Sequence, residues 1–140
     1  MESTHAAAIV RHFIDEVWNQ GNEAAVDTLT TPTYRYTLAG QPPRDRAALR
    51  EFLRGLRTAF PDWRVAIVDV ITQGHRAAVQ WEARATHRGP FLGFPATGRT
   101  ARVSGTNVYH LDGEHIAAEF EQMDTVGLLT QLGLVPPRIP

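Results

Sequence analysis

The sequence predicts an α+β domain, and three observations carry that expectation. Apolar residues recur at helical spacing through the first sixty residues. From Trp63 onward the period falls to two, in four segments separated by turn signals. The chain is 140 residues long, 43% hydrophobic and 21% charged, which suits one globular domain able to bury a core and a pocket. Helices followed by a mostly antiparallel meander make an α+β fold with the helices on one side of a curved sheet. No linker, repeat or low-complexity stretch divides it, so residues 1–140 read as a single domain.

Each element has its own signal. Ser3 or Thr4 can cap a first helix that runs to about Gln20, with Ile9, Val10, Phe13, Ile14, Val17 and Trp18 on its apolar face. Gly21 ends it, and Asn22 can cap a short second helix through Leu29. Thr33 to Leu38, rich in Tyr and Thr, reads as a short strand. Asp45 can cap a third helix to about Phe60, with Ala48, Leu49, Phe52, Leu53 and Leu56 on one face, before Pro61-Asp62 breaks it. Four strands follow, at Trp63–Gln73, Ala77–Arg88, Thr100–Leu111 and Glu114–Met123. Gly74-His75 and Asp112-Gly113 form hairpin turns. The segment GPFLGFPATGR between the middle two is too rich in Gly and Pro to be regular. A last helix spans about Thr125 to Leu132, Gly133 stops it, and the tail LVPPRIP is extended.

Composition removes whole classes of chemistry. Without cysteine there is no disulfide, thiolate metal site, iron–sulfur cluster or cysteine nucleophile. All 14 basic side chains are arginine, so Schiff-base chemistry and lysine-dependent phosphate loops are excluded. A net charge of −1 and a pI near 6.6 argue against nucleic acid or a membrane surface as partner. No apolar run approaches the roughly 20 residues of a membrane span, and the N-terminal stretch is too charged for a secretory signal. A cytoplasmic location is the expectation.

Strand alternation aims the side chains. In the second strand of the meander Val79, Trp81, Ala83, Ala85 and His87 share the apolar face. His87 is either a satisfied histidine at a strand end or a pocket group. In the third, Asn107 and Tyr109 point into the core with Ala101, Val103 and Leu111. They either form an internal network or hydrogen-bond a ligand carbonyl. The fourth strand is ambiguous. Alone, it puts Ile116, Ala118 and Phe120 inside and Glu119 and Glu121 in solvent. If the sheet pairs with a second subunit, a glutamate can instead face the cavity and act as a general base with a raised pKa. Asp124 is either a pocket acid or the N-cap of the last helix. The cluster His110-Leu-Asp-Gly-Glu-His115 reads more simply as a surface hairpin than a metal site. Arg46, Arg50, Arg54 and Arg57 stripe the third helix as a solvated face or a surface for an anionic carrier protein. No HExxH, GxSxG or GxGxxG element is present.

The segments AFPDWR (59–64), THRGPFLGFPATGR (86–99), SGTNVYHLDG (104–113) and MDTVGLLTQLG (123–133), with the order of elements, resemble the SnoaL-like polyketide cyclases of the nuclear-transport-factor-two-like superfamily. The resemblance covers nearly the whole chain. It implies a cone-shaped α+β barrel, a mostly antiparallel sheet closed by three N-terminal helices around an apolar pocket. It also implies frequent dimerisation, here a homodimer through the sheet face, and catalysis without a metal or organic cofactor. In that family an acid on the last strand deprotonates an activated carbon, so that the last ring of an aromatic polyketide closes by an aldol step. A divergent branch hydroxylates the ring instead. The alignment puts Glu121 at the acid position, where the reference enzymes have Asp. Tyr109 stands for a His, Asn107 for a Gln, Tyr36 for a pocket Asn and Trp18 for a helix-one aromatic. His87 and Asp124 match recurrent positions.

The expectation is therefore an enzyme acting on a hydrophobic aromatic small molecule. Glu121 or Asp124 takes a carbon-bound proton; Tyr109, Asn107 and His87 hold the enolate; Phe13, Trp18, Tyr36, Trp63, Trp81 and Phe91 wall the ligand. The alternative is a non-catalytic ligand-binding or dimerisation module on the same scaffold. An epoxide hydrolase of this fold ranks lower, because no Asp–Arg–Asp triple falls on inward-facing positions.

Overall fold

The computed structural model describes residues 2–134, with side chains from His5 onward. The tail from Val135 to Pro140, expected to be extended, lies outside the described residues. The first helix, α1, spans Glu2–Phe13 and continues without a break as a π-helical segment, Ile14–Asn19. Because α1 already begins at Glu2, Ser3 and Thr4 lie inside the helix rather than capping it. The wider π turn puts Ile14, Val17 and Trp18 together on the buried side. Gly21, at φ 64°, ends it. Helix α2 spans Glu23–Leu29. Asn22 precedes it without capping it: its amide donates to Glu16 Oε1 at 2.9 Å across the π turn.

Strand β1 (Thr30–Leu38) begins three residues earlier than its composition suggests. Helix α3 (Arg46–Ala59) is capped as expected, Asp45 Oδ1 accepting from the Ala48 amide at 2.9 Å. The meander follows as β2 (Arg64–Gln73), β3 (Arg76–Thr86), β4 (Thr100–Asp112) and β5 (His115–Met123), and α4 closes the described chain at Thr125–Gln131. The sheet order is β1-β5-β4-β3-β2. Only β1 on β5 is parallel; the other pairs are antiparallel. The sheet does not close into a barrel: β1 and β2 remain its edges. α1 packs against β2 and β3, α3 against β1 and α2, and α4 against β4, so the cone is completed by helices.

The core lies between the inner sheet face and these helices. Val79, Trp81, Ala83, Ala85 and His87 of the β3 side are buried, as are Ala101, Val103, Asn107, Tyr109 and Leu111 of β4. The fourth strand of the meander departs from simple alternation. Leu111 pairs with Ile116 but His110 pairs with Ala118, so Ala117 is an extra, bulged residue. Ile116 faces inward before the bulge, and Glu119 and Glu121 face inward after it. Of the two faces the sequence left open, the glutamate face is the inner one, and Phe120 is 46% exposed on the outer face.

Candidate active site

Two buried glutamates form the centre. Antiparallel partners share a sheet face, and β4 pairs Asn107 with Glu121 and Tyr109 with Glu119. Once Asn107 and Tyr109 are inside, both carboxyls are inside with them. Glu119 is 0% exposed and Glu121 8%.

Glu119 is surrounded by donors. Its Oε1 accepts from the Tyr34 hydroxyl at 2.7 Å. Its Oε2 accepts from Trp18 Nε1 at 2.9 Å and Asn107 Nδ2 at 2.8 Å. Glu121 Oε1 accepts from the Tyr36 hydroxyl at 3.0 Å and from Asn107 Nδ2 at 3.2 Å; its Oε2 has no partner among the described residues. The orientation of Asn107 is dictated by Trp81, whose Nε1–H can only donate and reaches Asn107 Oδ1 at 2.8 Å. The amide nitrogen must then face the carboxyls.

Burial raises the Glu119 pKa, against the stabilising effect of its hydrogen-bond donors. Burial, and then the charge of Glu119, push Glu121 up to about 7. Burial and the neighbouring carboxylates hold the Tyr34, Tyr36 and Tyr109 phenols well above their usual value. Tyr109 faces Glu119, whose charge raises the phenol while the hydroxyl helps to hold the Glu119 carboxyl down.

A cavity of about 80 Å³ opens beside these groups, several times the roughly 10–15 Å³ that one water requires. Trp18, Trp63, Trp81, Phe91, Asn107, Tyr109 and Glu121, all singled out from sequence, line it. Ile14, Leu38, Phe52, Phe60 and Leu128 complete apolar walls from the π segment, β1 and three helical or loop regions. The cavity is thus mostly apolar with a few convergent polar groups, the usual character of a small-molecule site.

Four expected residues stand elsewhere. Phe13 is fully buried, packed against Tyr34 and Tyr109 with ring centroids 6.3 and 6.0 Å away. Tyr36 sits behind Glu121 as its hydrogen-bond donor. His87 is buried against Phe60 and Phe91; its Nδ1 accepts from the Thr97 amide at 3.2 Å and so ties down the loop after β3. Its Nε2 is buried without a partner among the described residues. Asp124 is exposed and caps α4, accepting from the Gly127 amide at 2.9 Å, so the capping alternative is the one the geometry fits.

Tyr34 is the polar group that sequence reasoning left out of the site; Glu119, raised with Glu121 as a carboxyl that could face the cavity, was given no role of its own. Tyr34 had a signal, since Tyr34, Tyr36 and Leu38 alternate along β1 and all are buried. The arginine stripe is not simply solvated: Arg50 meets Asp27 at 2.7 Å and Arg54 meets Glu23 at 2.6 Å, pinning α3 to α2. Among the described residues no cluster of three or more His, Asp or Glu is arranged to hold a metal, and no helix is long and apolar enough to cross a membrane.

Residues 8–132 match the family model of the SnoaL-like polyketide cyclases. Among solved structures, a proposed polyketide cyclase of Acidithiobacillus ferrooxidans is 33% identical, with a TM-score of 0.80 over 92% of this chain and 94% of that one. A proposed SnoaL-like cyclase of Jannaschia is 22% identical, with a TM-score of 0.88 over 97% and 96%. AclR, a proposed hydroxylase of Streptomyces galilaeus, is 19% identical, with a TM-score of 0.85 over 99% and 90%. The last two likenesses speak to the fold alone. No curated protein matches.

Proposed function

The chain belongs to the SnoaL-like polyketide cyclase family, and from that premise we propose that it is a polyketide-tailoring enzyme in which Glu121 is the general base on a carbon acid. One observation carries this reading: a carboxyl with its pKa raised to about 7 keeps one oxygen, Oε2, without a hydrogen bond among the described residues, beside an apolar cavity. A base of that pKa is matched to neutral pH.

In the proposed step Glu121 Oε2 removes a proton from a carbon flanked by carbonyls in an aromatic polyketide. The Tyr109 hydroxyl, which lines the cavity beside Glu121, stabilises the enolate oxygen. Asn107 is not available for that task, because Trp81 engages its oxygen and the two carboxyls engage its nitrogen. The carbanion attacks a second carbonyl carbon, and the resulting alkoxide recovers the proton from Glu121. The ring closes with no change of mass. Trp18, Trp63 and Phe91 hold the flat ligand.

The test is product analysis with an uncyclised anthracycline-type precursor. The expected result is a product of unchanged mass and new retention, formed without oxygen and lost in Glu121→Gln. A product one oxygen heavier, formed only in air, refutes ring closure and assigns hydroxylation. Undiminished turnover by Glu121→Gln overturns the role of Glu121. Binding of the precursor without conversion makes the protein a ligand-binding module.

A further inference from the structure

Two acids buried side by side in an apolar site cannot both be charged without a large penalty. Here a single amide nitrogen, Asn107 Nδ2, reaches both, at 2.8 Å to Glu119 and 3.2 Å to Glu121. Their surroundings are unequal, and hydrogen-bond chemistry decides which one keeps the proton.

Glu119 Oε2 faces Trp18 Nε1 and Asn107 Nδ2. Both partners only donate, so this oxygen has no room for a proton. Glu119 Oε1 takes a third donor, the Tyr34 hydroxyl. A carboxylate with three donors over both oxygens is set up to be charged. On Glu121 both donors converge on Oε1, while Oε2 has no partner among the described residues, and a proton there meets no opposing donor from them.

We propose that Glu119 is a positioning residue for Glu121: the two carboxyls share one proton, held on Glu121 because Trp18, Tyr34 and Asn107 hold the negative charge on Glu119. This goes beyond the base role of Glu121 and rests on that reading only for its catalytic meaning. Glu119 does not line the cavity and touches no ligand. It acts by deciding when Glu121 becomes a base, and Asn107, oriented by Trp81, is the bridge between them. The groups facing the pair are Trp18 from the π segment, Tyr34 and Tyr36 from β1, and Asn107 and Tyr109 from β4. The cation Glu121 feels is Arg44, whose guanidinium lies 4.4 Å from the Phe52 ring centre and opposes the rise. The rise of Glu121 to about 7, with the charge of Glu119 among its causes, agrees with the geometry.

The experiment is a titration of the Glu121 side-chain carboxyl by carbon NMR in the ligand-free protein, the signal assigned by its loss in Glu121→Gln. In Glu119→Gln, near-isosteric and neutral, the Glu121 midpoint is expected to fall by about one pH unit or more. Tyr34→Phe removes one donor from Glu119, weakens its hold on the charge and is expected to move the midpoint the same way by less. Tyr34→Phe also serves if Glu119→Gln does not fold. A midpoint that stays in place in the folded variants overturns the inference. No substrate is involved, so the result is separable from catalysis. If Glu121 titrates as expected but Glu121→Gln still turns over, the proton-sharing pair stands and the catalytic proposal falls.

Discussion

Replacing Glu121 by Gln is expected to make the protein more stable at alkaline pH, and the structure sets the size of the gain. The carboxyl moves from its ordinary value of 4.5 to about 7 on folding. A raised acid binds its proton more tightly in the folded chain than in the unfolded one, so between those two values the folded state holds more protons. Stability therefore falls as pH rises through that window and levels off above pH 7. At about 1.36 kcal/mol per pH unit, the full penalty is on the order of 3 kcal/mol. Gln has the same shape and does not titrate. Urea unfolding of both proteins at pH 4.5, 6, 7 and 8 isolates the effect, because every other titrating group outside the cluster cancels in the difference. Glu121→Gln is expected to gain about 3 kcal/mol on the wild type between pH 4.5 and 8. A difference that stays flat across that range, or that grows in the opposite direction, refutes a buried carboxyl with a raised pKa.

Three further outcomes are expected. Gly105→Ala puts a methyl into the ring of Trp81, its partner across the β3–β4 ladder, and within 2.7 Å of the Gln122 carbonyl oxygen. Thermal unfolding is expected to register a loss of about 1–3 kcal/mol, along with a change in Trp fluorescence as the indole leaves Asn107. Asp124→Ala removes the α4 cap and is expected to cost about 1 kcal/mol while leaving turnover per folded molecule unchanged; a collapse of turnover reinstates Asp124 as a site acid. The outer sheet face exposes Val68, Val108 and Phe120, so if it pairs two copies, sedimentation is expected to show a dimer for the wild type and a monomer for Phe120→Arg. A wild-type monomer ends that proposal.

The inward set on β3 and β4 was legible in the sequence because nothing disturbs the period of two between Arg76 and His110. Trp81, Asn107 and Tyr109 could be aimed from alternation alone. The same reasoning fails on β5 for a specific reason. Counting outward from the Asp112-Gly113 turn pairs Asp112 with His115 and Leu111 with Ile116, as observed. Continued without interruption, that count sets Ala118 opposite Tyr109 and Phe120 opposite Asn107, which sends both glutamates to solvent. The bulge at Ala117 moves the register by one residue and reverses every later side chain. Nothing about an alanine pair announces a bulge, so local pattern could not choose between Glu121 and Phe120. The position of Glu121 came instead from the family resemblance. Tyr34 was hidden for another reason: its role depends on β1 lying parallel beside β5, a pairing across 85 positions that no local signal encodes.

That distant pairing has a consequence for how the chain comes off the ribosome. The edge strand made early, β1, has its hydrogen-bonding neighbour in the last strand, β5, and each glutamate–tyrosine contact spans 85 residues. Contacts of such separation form slowly, because the intervening chain must first be ordered. Until β5 emerges, Tyr34 and Tyr36 lack their glutamate acceptors, Trp18 has no carboxylate to donate to, and β1 has no ladder neighbour. The assembly of the buried glutamate cluster and the completion of the sheet are thus a single late event. A nascent chain stalled before Glu119 has much of its secondary structure encoded but lacks both buried carboxyls, and it presents an unpaired strand edge to its surroundings.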